Sequence, residues 1–371
     1  MKRKLCVLLI TLTVGLMFKA WSQPGWYLSA DFGQGQTLRH RSTMVFELPR
    51  PALAGSLELL RASNGSRDWE SVMQLPRWGV SFQWQDFGNR AELGYVYGVT
   101  PFFELPIIHR PRLQLWGRMT MGFAYVDRHY DRQLNPINNA IGSALNNYTS
   151  FGLIAETPLT KRLNLRFSGY FVHQSNARAQ LPNLGLNVPQ WRAGLSYRLS
   201  KEESTEVRPK SELRFDRRLR YYLRVGLTQV EDKVSDGPKY PVWVVSAFVA
   251  ERVTPVQRLM LGIELSYDAS IRAFMLNQDI PRGFPGWDPL RPAIWAGYEL
   301  GSERFAMMGQ VFVYAHDWPG SYGRQFWGTK FGPTYYFKFG EGEHFQPFLG
   351  IYLKTHLFIA DYFESSLGIR F

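Results

Sequence analysis

Cysteine is nearly absent from this chain of 371 residues. The one present, Cys6, lies in an N-terminal apolar run, so an exported chain without that run has no disulfide framework. Beyond the run no uncharged apolar stretch of roughly 18 residues follows, which excludes helical membrane spans. There is no Walker-type run and no glycine-rich phosphate loop. His40, His109, His129, His316, His344 and His356 are scattered, with no pair at metal-ligand spacing. Asp127, Asp131 and Asp317 read as solvated loop charge near strand ends rather than as cation ligands.

The first residues are a targeting segment. Lys2, Arg3 and Lys4 precede an apolar run over 5–18 that is too short and wrongly flanked to span a bilayer, and Ala20-Trp21-Ser22 offers an A-x-S cleavage site. Residues 1–22 are therefore expected to be a signal peptide, with no lipidation box at its end. The net charge of +12 falls to +8 once the four basic leader residues are removed. No nucleic-acid module accompanies that charge. On an exported chain, acidic lipid or sugar phosphate is the expected partner.

What the chain does have is alternation. In 161–175, Leu163, Leu165, Phe167, Gly169, Phe171, His173 and Ser175 share one face, while Asn164, Arg166, Ser168, Tyr170, Val172 and Gln174 share the other. The pattern recurs at 113–125, 191–199, 219–228 and 258–267, with Arg118, Arg192, Arg224 and Glu264 in mid-strand opposite the apolar face. Charge in mid-strand implies a wet interior. Soluble strands centre on about 5–6 residues, whereas a tilted membrane strand needs about 9–11.

The fold class is thus all-β, an antiparallel transmembrane β-barrel of about 12–16 strands in the outer membrane of a Gram-negative bacterium. Long connections at 34–52, 128–149, 176–188 and 270–290 fall outside. Short ones at 254–256 and 301–302 fall in the periplasm. A charged connection, 201–217, divides strands in 23–200 from strands in 218–371. The last strand ends on Leu367, Ile369 and Phe371 and resembles the assembly signal read by the barrel assembly machinery, an expected partner.

With this orientation His173 and Ser175 point toward lipid at the level of the outer leaflet. An imidazole can take the proton of a serine hydroxyl, and residues i and i+2 of a strand project to the same side. The amides of Asn176 and Ala177, just past the strand, could donate to an oxyanion. H-x-S alone is a weak motif, and a strand merely leaving the membrane carries such residues too.

The wider run, His173-Gln174-Ser175-Asn176-Ala177 and then Pro182-Asn183-Leu184-Gly185-Leu186-Asn187, resembles the lipid A 3-O-deacylase family, which carries H-x-S-N and then P-N-x-G. A looser likeness covers 25–199, including Asn135-Pro136 and residues 138–146. The resemblance implies an outer-membrane carboxylic ester hydrolase removing an acyl chain from lipid A of lipopolysaccharide, with no metal or cofactor. It implies Ser175 as nucleophile, His173 as general base, and Asn176 and Ala177 around the oxyanion. The family's third catalytic residue is a glutamate, and Asn187 stands at that position. Its amide oxygen can accept from the imidazole but carries no charge. The resemblance leaves 218–371 unexplained. The competing expectation is a non-enzymatic barrel that kept the motif, either a lipid-binding structural protein or a pore whose arginine-rich lumen would favour anions.

Overall fold

The computed structural model describes residues 25–200, 215–279, 289–315, 326–338, 345–357 and 359–371. The expected signal peptide and residues 201–214 of the charged connection lie outside these. Strands β1 (Trp26–Gly35), β2 (Ala52–Ala62), β3 (Arg77–Asp86), β4 (Tyr95–Arg110), β5 (Leu113–Val126), β6 (Leu145–Pro158), β7 (Leu163–Ser175) and β8 (Leu186–Arg198) come first. They are followed by β9 (Arg220–Glu231), β10 (Lys239–Thr254), β11 (Gln257–Asp268), β12 (Leu290–Gly301), β13 (Phe305–Tyr314), β14 (Trp327–Tyr336), β15 (Gln346–His356) and β16 (Ile359–Arg370). Among the described residues two short helices interrupt the pattern, α1 (Asp68–Val72) and α2 (Ala269–Asn277). The second is capped by Asp268, whose carboxylate accepts from the Ser270 amide at 2.9 Å.

Sixteen strands match the upper end of the expected count, but they close as two cylinders. Strands β1–β8 form one antiparallel barrel and β9–β16 another. Each barrel is sealed by its own first and last strands, β1 with β8 from Tyr27↔Arg198 to Gly35↔Gln190, and β16 with β9 from Ser365↔Leu227 to Arg370↔Tyr222. At the first seam the backbones approach so closely that a Cβ on Gly194 would lie 2.1 Å from the Ala30 carbonyl oxygen. Once β1 has paired, β8 has no free edge for a ninth strand. Alternation fixes only which face of a strand is inside, so it is equally compatible with one wide cylinder or two narrow ones. One compact unit holds β1–β8, and the other holds β9–β16 together with the loop Asn176–Asn183.

The outer wall of each barrel is apolar. In the first, Val80, Phe82, Val99, Phe123, Phe151, Leu153 and Phe167 are exposed. In the second, Leu223, Val225, Val245, Leu261, Ile263, Ile294, Val311 and Leu367 play the same part. A closed sheet with an apolar outside belongs in lipid, because closure leaves no open strand edge and the side chains lose nothing by meeting acyl chains.

The interiors are polar, as the alternation requires, yet they are filled rather than wet. In the first barrel six charges from six strands form a closed alternating ring. Arg77 (β3) pairs with Glu104 (β4) at 2.6 Å and with Glu156 (β6) at 2.6 Å. Arg166 (β7) pairs with Glu156 at 2.9 Å and with Glu58 (β2) at 2.8 Å. Arg118 (β5) completes the circuit through Glu58 and Glu104. Three cations against three anions leave the ring neutral, and all six residues are buried. The second barrel holds a smaller circuit of Arg224, Glu264, Lys330 and Glu364, with Lys330 2.7 Å from Glu264 and Arg224 2.9 Å from Glu264. Trp295, Tyr222, Phe248, Phe348 and Tyr352 pack beside it. Eight strands leave an interior just wide enough for side chains.

Removing one member of the ring strands buried charge. Arg118→Ala is expected to destabilise the first barrel by about 3–5 kcal/mol, read as a lower urea midpoint for unfolding in detergent, whereas an unchanged midpoint would show the ring to be dispensable. The filled lumens also predict no steady single-channel conductance in planar bilayers.

Candidate active site

Strand β7 carries the site at its last two outward positions. Its inward residues Arg166, Ser168, Tyr170, Val172 and Gln174 are buried, while Leu165, Phe167 and Phe171 are exposed on the lipid side. His173 and Ser175 continue the outward row and are themselves largely covered. Register then supplies the third side chain. His173 is paired directly with Asn187 of β8, and cross-strand neighbours on one face have Cβ atoms roughly 5 Å apart.

The three side chains form a chain of hydrogen bonds. The His173 Nδ1 lies 2.6 Å from Asn187 Oδ1, and Nε2 lies 3.0 Å from Ser175 Oγ. An amide oxygen can only accept, so Nδ1 carries the hydrogen and donates it. Nε2 is then left with a lone pair directed at the serine hydroxyl, the orientation in which an imidazole can take the serine proton.

The neighbouring rows set the depth. Thr149 of β6, His173 and Asn187 make one polar row across three strands. The next outward row inside the belt is Phe151, Phe171 and Pro189, and the one after it is Leu153, Gly169 and Trp191. Polar groups thus sit directly on top of an apolar wall, on the same face and with nothing between. That is the level at which lipid passes from acyl chain to head group.

The P-N-x-G run explains itself at this point. Gly185 has a φ of +76°, and a Cβ there would lie 3.0 Å from His173 Cε1 and 3.5 Å from the Ser175 Cβ. A residue with a Cβ there would take a strained left-handed backbone and crowd the imidazole at once, and glycine does neither. Its amide donates to the Ala140 carbonyl at 3.0 Å, and the Leu184 amide reaches Asn139 O at 3.4 Å. Asn138, fully buried, braces this loop: its Nδ2 donates to the carbonyls of Glu92 and Arg128, and its Oδ1 accepts from Ala140 and Ile141.

The expected oxyanion donors divide. The Asn176 amide donates to Asn183 Oδ1 at 3.0 Å, so it is already engaged. Ala177 is buried with a φ of +48°, followed by Arg178 at +63°, and the Ala179 amide closes the turn on Asn176 O at 3.1 Å. Two successive left-handed residues without glycine are a strained turn, costing on the order of 1–3 kcal/mol each. Among the described residues, the Ala177 amide meets no protein acceptor. Asn183 enters the sequence reading only as the asparagine of the P-N-x-G run, and no role is assigned to it there; in the fold its side chain takes up the Asn176 amide.

The remaining candidates do other things. Asp127 accepts from the Tyr95 amide at 2.7 Å. Asp131 accepts from the Leu134 and Gln133 amides, which hold its carboxyl below the usual carboxylate range. His356 lies inside the second barrel, 3.0 Å from the Tyr314 hydroxyl. His316, His344 and Asp317 lie outside the described residues.

Residues 57–203 match the family model for lipid A 3-O-deacylase (PagL), and residues 217–371 match that for the acyloxyacyl hydrolase C-terminal domain. Between them the two models span all but the first 56 residues and a short connection. No curated protein matches the chain. Among solved structures, Neisserial surface protein A is similar at 10% identity over 47% of this chain and 97% of its own, with a TM-score of 0.32. The outer membrane enzyme PagL is similar at 13% identity over 45% of this chain and 97% of its own, with a TM-score of 0.30.

Gly185→Ala is expected to leave the first barrel folded but to push the imidazole off its two partners. Labelling of Ser175 by a fluorophosphonate should then slow by about tenfold or more. An unaltered labelling rate would mean that the close approach of Gly185 is not what orients His173.

Proposed function

The chain belongs to the lipid A 3-O-deacylase (PagL) family of the outer membrane, and from that premise we propose that it is a serine esterase that removes an ester-linked acyl chain from lipid A. The observation that carries the reading is the hydrogen-bonded row Ser175–His173–Asn187, set on the lipid side of the wall immediately above the apolar belt. A substrate whose acyl chains lie in the bilayer can present its ester there without leaving the membrane.

In this reading Ser175 Oγ attacks the acyl carbonyl carbon while its proton passes to His173 Nε2. The carbonyl oxygen becomes an oxyanion, for which the Ala177 amide is the proposed donor, since the Asn176 amide is held by Asn183. Collapse breaks the bond to the sugar oxygen, which takes the proton from Nε2 and leaves an acyl-enzyme. Water, deprotonated by the same imidazole, then releases the fatty acid and restores Ser175. Asn187 fixes the tautomer through Oδ1. It offers no charge to the imidazolium, so this base is expected to be weaker than one backed by a carboxylate.

The pore reading needs an open lumen, and both described interiors are filled by ion pairs and aromatic rings. Expression of the wild type in cells with hexa-acylated lipid A, followed by mass spectrometry of the lipid, tests the assignment. Ser175→Ala and His173→Ala should each lose about 10³-fold or more of the deacylation rate, and Asn187→Glu should match or exceed the wild type. Deacylation persisting in Ser175→Ala sinks the esterase, and a clear loss in Asn187→Glu would mean that some other group orients the imidazole.

A further inference from the structure

One histidine outside the row is bound into the same construction. His40 lies in the connection between β1 and β2, and its Nε2 is 3.1 Å from the Leu184 carbonyl oxygen. A carbonyl can only accept, so Nε2 carries the hydrogen. Its other ring nitrogen faces Leu38 O at 3.4 Å. The same connection is laced along β8: the Gln36 amide donates to Pro189 O at 3.0 Å and the Leu38 amide to Asn187 O at 2.8 Å. From the other side, Asn139 Nδ2 donates to Thr43 O at 2.5 Å, while Asn139 O accepts from the Leu184 amide.

These bonds make a closed bracket. It runs from His40 to Leu184, from Leu184 to Asn139, and from Asn139 back to Thr43, three residues beyond His40. Inside the bracket lie Gly185, where a side chain's Cβ would stand 3.0 Å from the His173 ring, and Asn187, which holds Nδ1. Every other strut is a backbone amide or carbonyl, or the Asn139 amide. His40 is the strut that joins the outer connection to the glycine turn through a side chain, and it touches none of the reacting atoms.

We infer that His40 is a positioning residue for the esterase reaction, holding the Leu184–Gly185 turn against the catalytic imidazole. The inference rests on the esterase reading given above. Loss of the strut leaves the turn free to move away from His173, which in turn relaxes the angle between Nε2 and Ser175 Oγ. The loss of one neutral hydrogen bond corresponds to about a three- to tenfold fall in rate. Binding of the lipid head group and acyl chains would be untouched, so the fall should appear in kcat and not in KM.

The test compares His40→Ala, His40→Gln and Ser175→Ala in the full-length protein refolded in detergent, with lipid A deacylation and fluorophosphonate labelling of Ser175 read in parallel. Support consists of a three- to tenfold lower kcat and labelling rate in His40→Ala, with KM and the urea midpoint unchanged, and recovery in His40→Gln, whose side-chain amide can donate to the same carbonyl. Wild-type rates in His40→Ala, or equal losses in His40→Ala and His40→Gln, overturn the positioning role alone. Deacylation retained in Ser175→Ala overturns the esterase reading and this inference with it.

Discussion

Everything else in the first barrel is arranged around the ring of Arg77, Glu104, Arg118, Glu58, Arg166 and Glu156. Each charge comes from a different strand, so the circuit closes only when β2 through β7 stand in register. Desolvating six charges is expensive, and the expense is offset only if each keeps its partners. The consequence for function is direct. A lumen filled in this way admits no substrate, so in the esterase reading the reacting groups lie on the outside of the wall. The circuit of Arg224, Glu264, Lys330 and Glu364 imposes the same condition within the second barrel.

On the outside, the two-residue period of a strand does the rest. The parity that sends Arg166 and Tyr170 inward sends Phe167, Phe171, His173 and Ser175 outward, and pairing with β8 sets Asn187 beside the imidazole. A polar triad in the middle of the belt would be costly, because lipid offers no hydrogen bonds. At the end of β7 that cost is small. The side chains satisfy one another there, and the loops above them are tied to one another through Asn138, Asn139 and Gly185.

Much of this was legible in the sequence, and the unread part has a physical reason. Alternation in 161–175 assigns His173 and Ser175 to the lipid face, and strand lengths and mid-strand arginines identify a membrane wall. Closure into two cylinders is a different matter, since period two distinguishes inside from outside but carries no information on which strand seals the sheet. The decision lies in long-range pairing, β1 with β8 and β9 with β16. The same limit applies at the site. Asn187 is fourteen residues from His173, and only the family resemblance names it, since no local period announces that the two face each other. The bracket around Gly185 joins residues near 40, 140 and 185, and the Asn176 amide is claimed by a side chain seven residues away. Contacts of that kind leave no periodic trace.

The central claim is that a serine facing lipid at the top of the belt is the nucleophile. Titrating the protein in outer-membrane vesicles with a long-chain alkyl fluorophosphonate, and mapping the adduct by peptide mass spectrometry, tests it most directly. The account predicts modification at Ser175 with loss of lipid A deacylation in equal proportion. Full modification of Ser175 with activity intact, or full inactivation with Ser175 unmodified, would contradict it.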